Sequence, residues 1–186
     1  MKKRTLAIIT SAAIVIIGLV AGIYAFNNSS TTTTSTTTKS PSTRIVKARE
    51  VFTLSDAQTL LGDNVTAGDS TEPATTESIS VDSASYDNNA TIVADIRIIS
   101  IMVRTALDND GKDSNAEAFK PGGAANPSGA IAVSGYGEKA FWDPSLHELA
   151  ILKENVWIGI VYGGTNPTNN TLEDAKKVAD LVITHI

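Results

Sequence analysis

The feature that most constrains this chain is a run of 22 residues without a charged side chain, from Thr5 to Phe26. As a helix that rises about 1.5 Å per residue, it would span about 33 Å, enough to cross a hydrocarbon core of about 30 Å. Residues 2–4 are basic, which favours a cytoplasmic N-terminus. A cleavable secretory signal has a shorter apolar region and a small-residue cleavage site, whereas Ile23 stands where a small residue is required. We therefore predict a retained transmembrane signal-anchor over residues 1–26, a single pass through the cell membrane by residues 5–26, and a C-terminal domain outside.

Gly18 and Gly22 form a G-x-x-x-G pattern inside this segment. Small residues at this spacing let two membrane helices approach closely, so the pattern is compatible with a homodimer. Glycine is also common in membrane helices that do not pair. The sequence leaves both alternatives open.

A polar tract follows the apolar run, and residues 27–43 have the sequence NNSSTTTTSTTTKSPST. Such a tract has no large apolar side chains to offset the entropy cost of ordering, so we predict a disordered Ser/Thr-rich linker over residues 27–46. The chain contains no cysteine. This excludes disulfides, thiolate metal sites and a lipid-modified N-terminal cysteine, so the exported part must be stabilised by its core alone.

The remaining residues, 47–186, have the length of one ordinary domain. All twenty acidic residues follow Phe26, against twelve lysines and arginines, which gives the exported part a net charge of −8. No basic cluster interrupts this acidic excess, which argues against nucleic acid and anionic lipid as partners. We therefore predict an acidic extracytoplasmic domain with no nucleic-acid partner.

Hydrophobic periodicity and turn residues predict the elements of this domain. Ser55 and Gln58 fit a capping box at the start of the first helix, and Gly62 fits its C-terminal cap. Thr171 and Asp174 fit an altered capping box at the start of the last helix. The predicted elements are a helix over 54–62, strands over 79–86 and 91–103, a loop over 108–123 with one helical turn near 116–119, strands over 130–133 or 139–142, over 146–153 and over 156–162, and a helix over 171–186.

Residues 154–155 predict a two-residue turn between two strands that are apolar on both faces. That turn pairs Leu152 with Trp157, Ile151 with Ile158, Ala150 with Gly159, and His147 with Tyr162. Because both faces are apolar, we expect this hairpin to lie in the centre of the sheet, covered on both sides. The predicted fold class is α+β, with an antiparallel sheet packed against a short N-terminal helix and a C-terminal helix.

Three segments carry a family resemblance: GYGEKAFW, LAILKENVWIGIVYGG and LEDAKKVADLVI. They resemble the second half of small membrane-tethered, lipoprotein-like extracytoplasmic domains of bacteria, whose fold is similar to that of PsbP-type photosystem proteins. The segment LSDAQTLLG is similar to the first helix of those domains. The resemblance implies a PsbP-like α/β sandwich on the bacterial cell surface and the binding of a ligand or partner. It implies no catalytic residue.

Three patterns resemble metal or catalytic sites, and each has a fault. Residues 106–117 match a calcium loop, except that Ala106 stands at the first ligand position. His147 and Glu148 are adjacent on a predicted strand and so point to opposite faces. Ser134 lacks the glycine that a nucleophile elbow needs two residues earlier. We therefore predict a non-enzyme without metal or cofactor, and a hydrolase is the least favoured alternative.

The aromatic residues of the second half are the remaining candidates for a site. Aromatic side chains mostly fill protein cores. The small pair Ala150 and Gly159 would, however, leave a hollow beside Trp157, and an aromatic hollow with one polar group is typical of an apolar ligand pocket. The candidate ligand-binding residues are Trp142, His147, Trp157 and Tyr162.

The sequence thus predicts a non-catalytic extracytoplasmic domain, anchored by one membrane helix and acting as a sensor or accessory subunit. Its expected partner is a small apolar ligand or an envelope protein. A purely structural surface module is the alternative.

Overall fold

The computed structural model describes residues 44–186, apart from residues 70, 167 and 169. The predicted membrane anchor, residues 1–26, and nearly all of the predicted linker lie outside the described residues. Among the described residues, no helix is both long and apolar enough to cross a membrane.

The fold class is α+β, as predicted, with a helix near the start of the domain and another at its end. The helices are α1 (Ala48–Val51), α2 (Leu54–Leu61), α3 (Asn109–Ala118) and α4 (Leu172–Val182), with 3₁₀ turns at Val93–Asp95 and Ile183–His185. The strands are β1 (Thr66–Ala67), β2 (Ala74–Thr75), β3 (Ile79–Asp87), β4 (Arg97–Ala106), β5 (Ile131–Ala132), β6 (Lys139–Asp143), β7 (Glu148–Lys153) and β8 (Val156–Gly164).

All strands pair antiparallel, in the order β1-β3-β4-β8-β7-β6-β5, and β2 also pairs with β3. The hairpin of β7 and β8 has the predicted register, because Leu152 pairs with Trp157 and Ala150 with Gly159. Glu154, in the turn of this hairpin, has a φ of 54°, the left-handed conformation that a two-residue turn requires. The hairpin lies inside the sheet, as predicted, since β4 and β6 flank it.

One face of the sheet, here called the helix-covered face, packs against α1, α2 and α4. Side chains alternate between the two faces of a strand, so every second residue of the central strands points to these helices. The apolar side of α4 is buried here, through Ala175, Val178, Ala179 and Val182. The strand residues of this core include Tyr86, Ile99, Ile101, Val103, Leu149, Ile151, Ile158 and Ile160, none more than 1 % exposed.

The opposite face, here called the second face, is built from smaller and more polar residues. β4 contributes Ser100, Met102 and Arg104, β8 contributes Trp157, Gly159 and Val161, and β7 contributes Glu148, Ala150 and Leu152. α3 is the helix in contact with this face, and it lies near the end of β4. Within the part of the chain that the structure describes, no helix packs over the half of the second face around Glu148 and Val161, and both residues are partly exposed.

Two predictions about the first half of the domain are wrong in detail. The capping box of α2 is formed by Thr53 and Asp56, two residues earlier than the predicted pair. β4 begins at Arg97, not at residue 91, because the 3₁₀ turn Val93–Asp95 precedes it.

The predicted polar loop over 108–123 is also wrong over most of its length. Residues 109–118 form α3, which begins at Asp108, whose carboxylate accepts a hydrogen bond from Gly111 N at 2.8 Å. Both alternatives for the next strand occur, as the short β5 and as β6. β7 begins at Glu148, two residues later than predicted, and α4 ends at Val182 and continues as a 3₁₀ turn.

Candidate functional site

The four aromatic and histidine candidates do not converge on one pocket. Trp142 and Tyr162 belong to the core under the helix-covered face and are 5 % and 4 % exposed. Trp157 points to the second face, as its pairing with Leu152 and Arg104 requires. The sheet itself therefore separates Trp157 from the other two rings.

His147 lies in the turn before β7, with a φ of 53°, and not on the strand. Its predicted pairing with Tyr162 does not form, because the register of β7 and β8 starts with Glu148 opposite Val161. The imidazole instead meets Trp142 edge-on, with 6.3 Å between ring centroids. His147 is therefore not beside Trp157.

Trp157 is packed inside a cluster on the second face. The Phe119 ring meets it edge-on at 5.8 Å, and the Arg104 guanidinium lies 5.5 Å from the centre of the Trp157 ring. The guanidinium donates to Asn115 and to the Ser114 hydroxyl. It has no acidic partner among the described residues, and burial lowers the pKa of Arg104. This arrangement packs protein side chains against the indole, where a ligand was expected.

The predicted hollow at Gly159 exists in the backbone, but side chains occupy it. A methyl group placed on Gly159 would lie 2.7 Å from Oε1 of Glu148 and 3.2 Å from Cε of Met102. Burial, and secondarily the negative charge of Asp143, raise the pKa of Glu148 to about 7. A carboxyl group with a raised pKa therefore lies where an apolar ligand was expected.

The other chemical patterns are placed apart. Asp108, a predicted calcium-loop position, is the N-cap of α3, and Ser134 is exposed in the connection between β5 and β6. Within residues 44–186, gaps excepted, no three His, Asp or Glu side chains are grouped so that they could hold a metal ion.

Sequence reasoning missed a cleft of about 400 Å³ beside the end of α2. Residues 61–64, at the end of that helix, form one wall, and residues 88–92 together with Asp95 form the other. Its volume is within the range of small-ligand sites, roughly 300–1,000 Å³. We define these residues as the α2 cleft.

Hydrogen bonds between side chains and backbone fix the walls of the α2 cleft. Asn88 accepts from Arg97 N at 3.0 Å and donates to the Asp95 carbonyl at 2.9 Å. Asn89 has a φ of 51° and donates from Nδ2 to the Asn64 carbonyl at 3.0 Å. The Asn89 bond joins the two walls directly and the Asn88 bonds fix the second wall, so the cleft is already formed without a ligand.

The lining of the α2 cleft offers oxygen acceptors and one aliphatic surface. The carboxylates of Asp63 and Asp95 are exposed and take part in no ion pair within the described residues. No lysine, arginine or histidine lines the cleft. Ile92, which lines it, is 62 % exposed. This chemistry suits a ligand with hydroxyl or ammonium donors and an apolar edge, and it disfavours anions.

No sequence motif points to the α2 cleft, since its Asn and Asp residues have the composition of ordinary turns. No protein-family model matches the chain, and comparisons with curated proteins and with solved structures give no match either. A function for this domain is therefore inferred from the sequence and from the geometry of the described residues.

Proposed function

We propose that this chain is a single-pass membrane protein that presents a non-catalytic binding domain outside the cell on a Ser/Thr-rich tether. The uncharged run over residues 5–26, the basic N-terminus and the polar tract that follows support this arrangement. The antiparallel sheet with its first and last helices is compatible with the PsbP-like fold that the sequence resembles.

Cysteine labelling would test the topology, because the natural chain has no cysteine. Lys2→Cys introduces a thiol before the predicted anchor, and Asp113→Cys introduces one at an exposed position of α3. In intact bacterial cells, a membrane-impermeant maleimide should label Asp113→Cys at once and Lys2→Cys only after lysis. Equal labelling of both variants in intact cells would contradict the proposed orientation.

We propose the α2 cleft as the binding site, for a small ligand that carries hydroxyl or ammonium groups and an apolar edge. The proposal rests on a preformed cleft of about 400 Å³, whose carboxylates form no ion pair among the described residues. The sequence had suggested an apolar ligand, but the aromatic residues behind that expectation are packed in two separate clusters. An envelope protein that inserts such a group into the cleft would use the same site.

Methyl NMR of the full-length chain in detergent would test this site, with the Ile92 methyl signal as reporter. The probes are neutral disaccharides for hydroxyl donors and spermidine for ammonium donors. One probe class should shift the Ile92 signal, and Asp95→Asn should weaken that binding about tenfold, the loss of one charge-assisted hydrogen bond.

Asp113→Asn is the matched control, because it removes the same charge from an exposed position outside the cleft. It should leave the affinity unchanged. An Ile92 signal that no probe moves would favour the purely structural surface module. If Asp95→Asn and Asp113→Asn weakened binding equally, the weakening would be due to the overall charge of the domain and not to the cleft.

A further inference from the structure

The second face contains a carboxyl group in a position normally filled by a neighbouring side chain. Gly159 has no side chain, and Glu148, diagonally across from it on β7, fills the gap together with the Met102 methyl group. The space is small and defined, since both atoms would clash or nearly clash with any Cβ at residue 159. Glu148 thus covers a hollow whose floor is the backbone of β8.

The groups around Glu148 stabilise its neutral form. Opposite it on β8 and β4 lie uncharged residues, Val161 and Ser100. The facing residue on β6 is Asp143, whose carboxylate accepts from Ser145 N at 2.7 Å and from the Ser145 hydroxyl at 2.6 Å. The negative charge of Asp143 repels a second negative charge on Glu148.

No basic group among the described residues compensates for this repulsion. Arg104, on the same face, is bound to Asn115 and Ser114 at the end covered by α3. His147 precedes Glu148, but its ring meets Trp142 edge-on. Lys139 lies opposite Leu152, at the far end of β6. An ionised Glu148 would therefore be desolvated and unpaired in its present position.

Glu148 can leave this position. The residue is partly exposed, and no helix among the described residues covers this half of the second face. Rotation of its flexible side chain would bring the carboxylate into water. Met102, which is 4 % exposed, would then lose part of its cover.

We propose that Glu148 is a pH-responsive plug: its neutral carboxyl group closes the hollow over Gly159, and its ionised form swings into solvent and opens the hollow. Protonation of one residue thereby sets the shape of the helix-free half of the second face. This device is independent of the α2 cleft, which lies at the end of α2 and the β3–β4 connection.

The chain is well suited to a direct test, because Met1 and Met102 are its two methionines. In full-length protein labelled with ¹³C-methyl methionine, in detergent, the Met102 signal should titrate with a midpoint of about 7, the pKa of Glu148. Above that pH, a soluble paramagnetic agent should broaden the Met102 signal more strongly, because the methyl group becomes exposed.

Three variants separate the plug from other causes. Glu148→Gln should abolish the titration of the Met102 signal, and Asp143→Asn should move its midpoint down towards 4.5, the ordinary value for glutamate. Glu77→Gln, at an exposed position on the connection from β2 to β3, should leave the midpoint unchanged. A midpoint near 4.5 in the natural chain, or a titration that persists in Glu148→Gln, would overturn the proposal.

A second measurement covers the case in which Glu148→Gln fails to fold. With ¹³C-labelled glutamate in the natural chain, one side-chain carboxyl resonance should titrate near 7, well above the others. If all glutamate carboxyls titrate together near their ordinary value, the plug does not exist.

Discussion

The two faces of this sheet use their buried positions in opposite ways. On the helix-covered face, neighbouring residues such as Ile99, Ile158 and Ile160 are completely buried against α1, α2 and α4. On the second face, the same strands bury a guanidinium group and a carboxyl group, Arg104 and Glu148, with no ion pair within the described residues. The helix-covered face stabilises the domain through apolar burial, whereas the second face buries ionisable groups that lower its stability.

This difference shows which part of such a domain can hold functional groups that lower its stability. A chain without disulfides must gain its stability from apolar burial, and the helix-covered face supplies that burial. Because that core is large, the second face can bury polar groups in unfavourable surroundings. Substitutions on the two faces should therefore differ in size, in sign and in pH dependence.

The largest effect should come from adjacent residues of β8 that point to opposite faces. Ile160→Ala opens a cavity in the helix-covered core and should lower the free energy of unfolding by about 4 kcal/mol. Val161→Ala, on the partly exposed second face, should cost about 1 kcal/mol or less. Urea unfolding followed by tryptophan fluorescence measures both. Similar losses in the two variants would mean that the second face is packed as tightly as the first.

The next effect concerns the buried polar cluster of the second face. Asn115 is 1 % exposed, accepts from Arg104, and donates to the Asn155 carbonyl at 3.1 Å. Asn115→Ala should lower the free energy of unfolding by about 3 kcal/mol, since it leaves Nη1 of a buried guanidinium without its acceptor. Ser114→Ala removes a less buried contact of the same guanidinium and should cost about 1 kcal/mol. If both variants lowered the free energy of unfolding equally, the bond from Arg104 to Asn115 would contribute no more than the bond to Ser114.

A smaller effect, with a defined pH dependence, is expected at Glu148. Its pKa in the folded domain is raised to about 7 from 4.5, so the folded state holds a proton that the unfolded state releases between these values. The natural residue therefore destabilises the domain increasingly from about pH 4.5 to about pH 7, and constantly above. Glu148→Gln should stabilise the domain by about 2 kcal/mol at pH 8, less than the roughly 3 kcal/mol of the full shift because the ionised side chain can reach water, and have little effect at pH 4.5.

Chemical unfolding at the two pH values measures this difference. Glu77→Gln, the exposed counterpart, should have no effect at either pH. If Glu148→Gln changed the free energy of unfolding equally at both pH values, the change would not be due to protonation of Glu148.

Sequence patterns predicted the elements whose information is local or periodic. The apolar stripe of α4 repeats at helical spacing, and Glu154–Asn155 fixes the register between Ala150 and Gly159. α3 was missed because its sequence, NDGKDSNAEA, has no apolar stripe. This helix is stabilised by its cap at Asp108 and by Asn115, which reaches backbone carbonyls of other elements.

The candidate sites depend on contacts that no sequence spacing encodes. Ile92 and Val93 look like strand residues but are exposed at the 3₁₀ turn, where Ile92 lines the α2 cleft. The cleft is closed by Asn89 and Asn64, which are 25 positions apart. The pairing of Ala150 with Gly159 is confirmed, but the space at Gly159 is filled by Glu148, which comes from a diagonal position that pairing alone does not specify.

The smallest effect should separate the caps of the helix-covered face from the threonine of the α2 cleft. Thr53 and Thr171 accept hydrogen bonds from the backbone of Asp56 and Asp174 at the starts of α2 and α4. Thr53→Ala and Thr171→Ala should each lower the free energy of unfolding by about 1 kcal/mol, because each leaves a backbone N–H of the first turn without its acceptor. Thr91→Ala, in the cleft wall, should be neutral in urea unfolding, since no hydrogen bond among the described residues depends on its hydroxyl. If Thr91→Ala were as costly as the caps, the cleft wall would be part of what stabilises the fold, and its residues would no longer be free to serve a ligand.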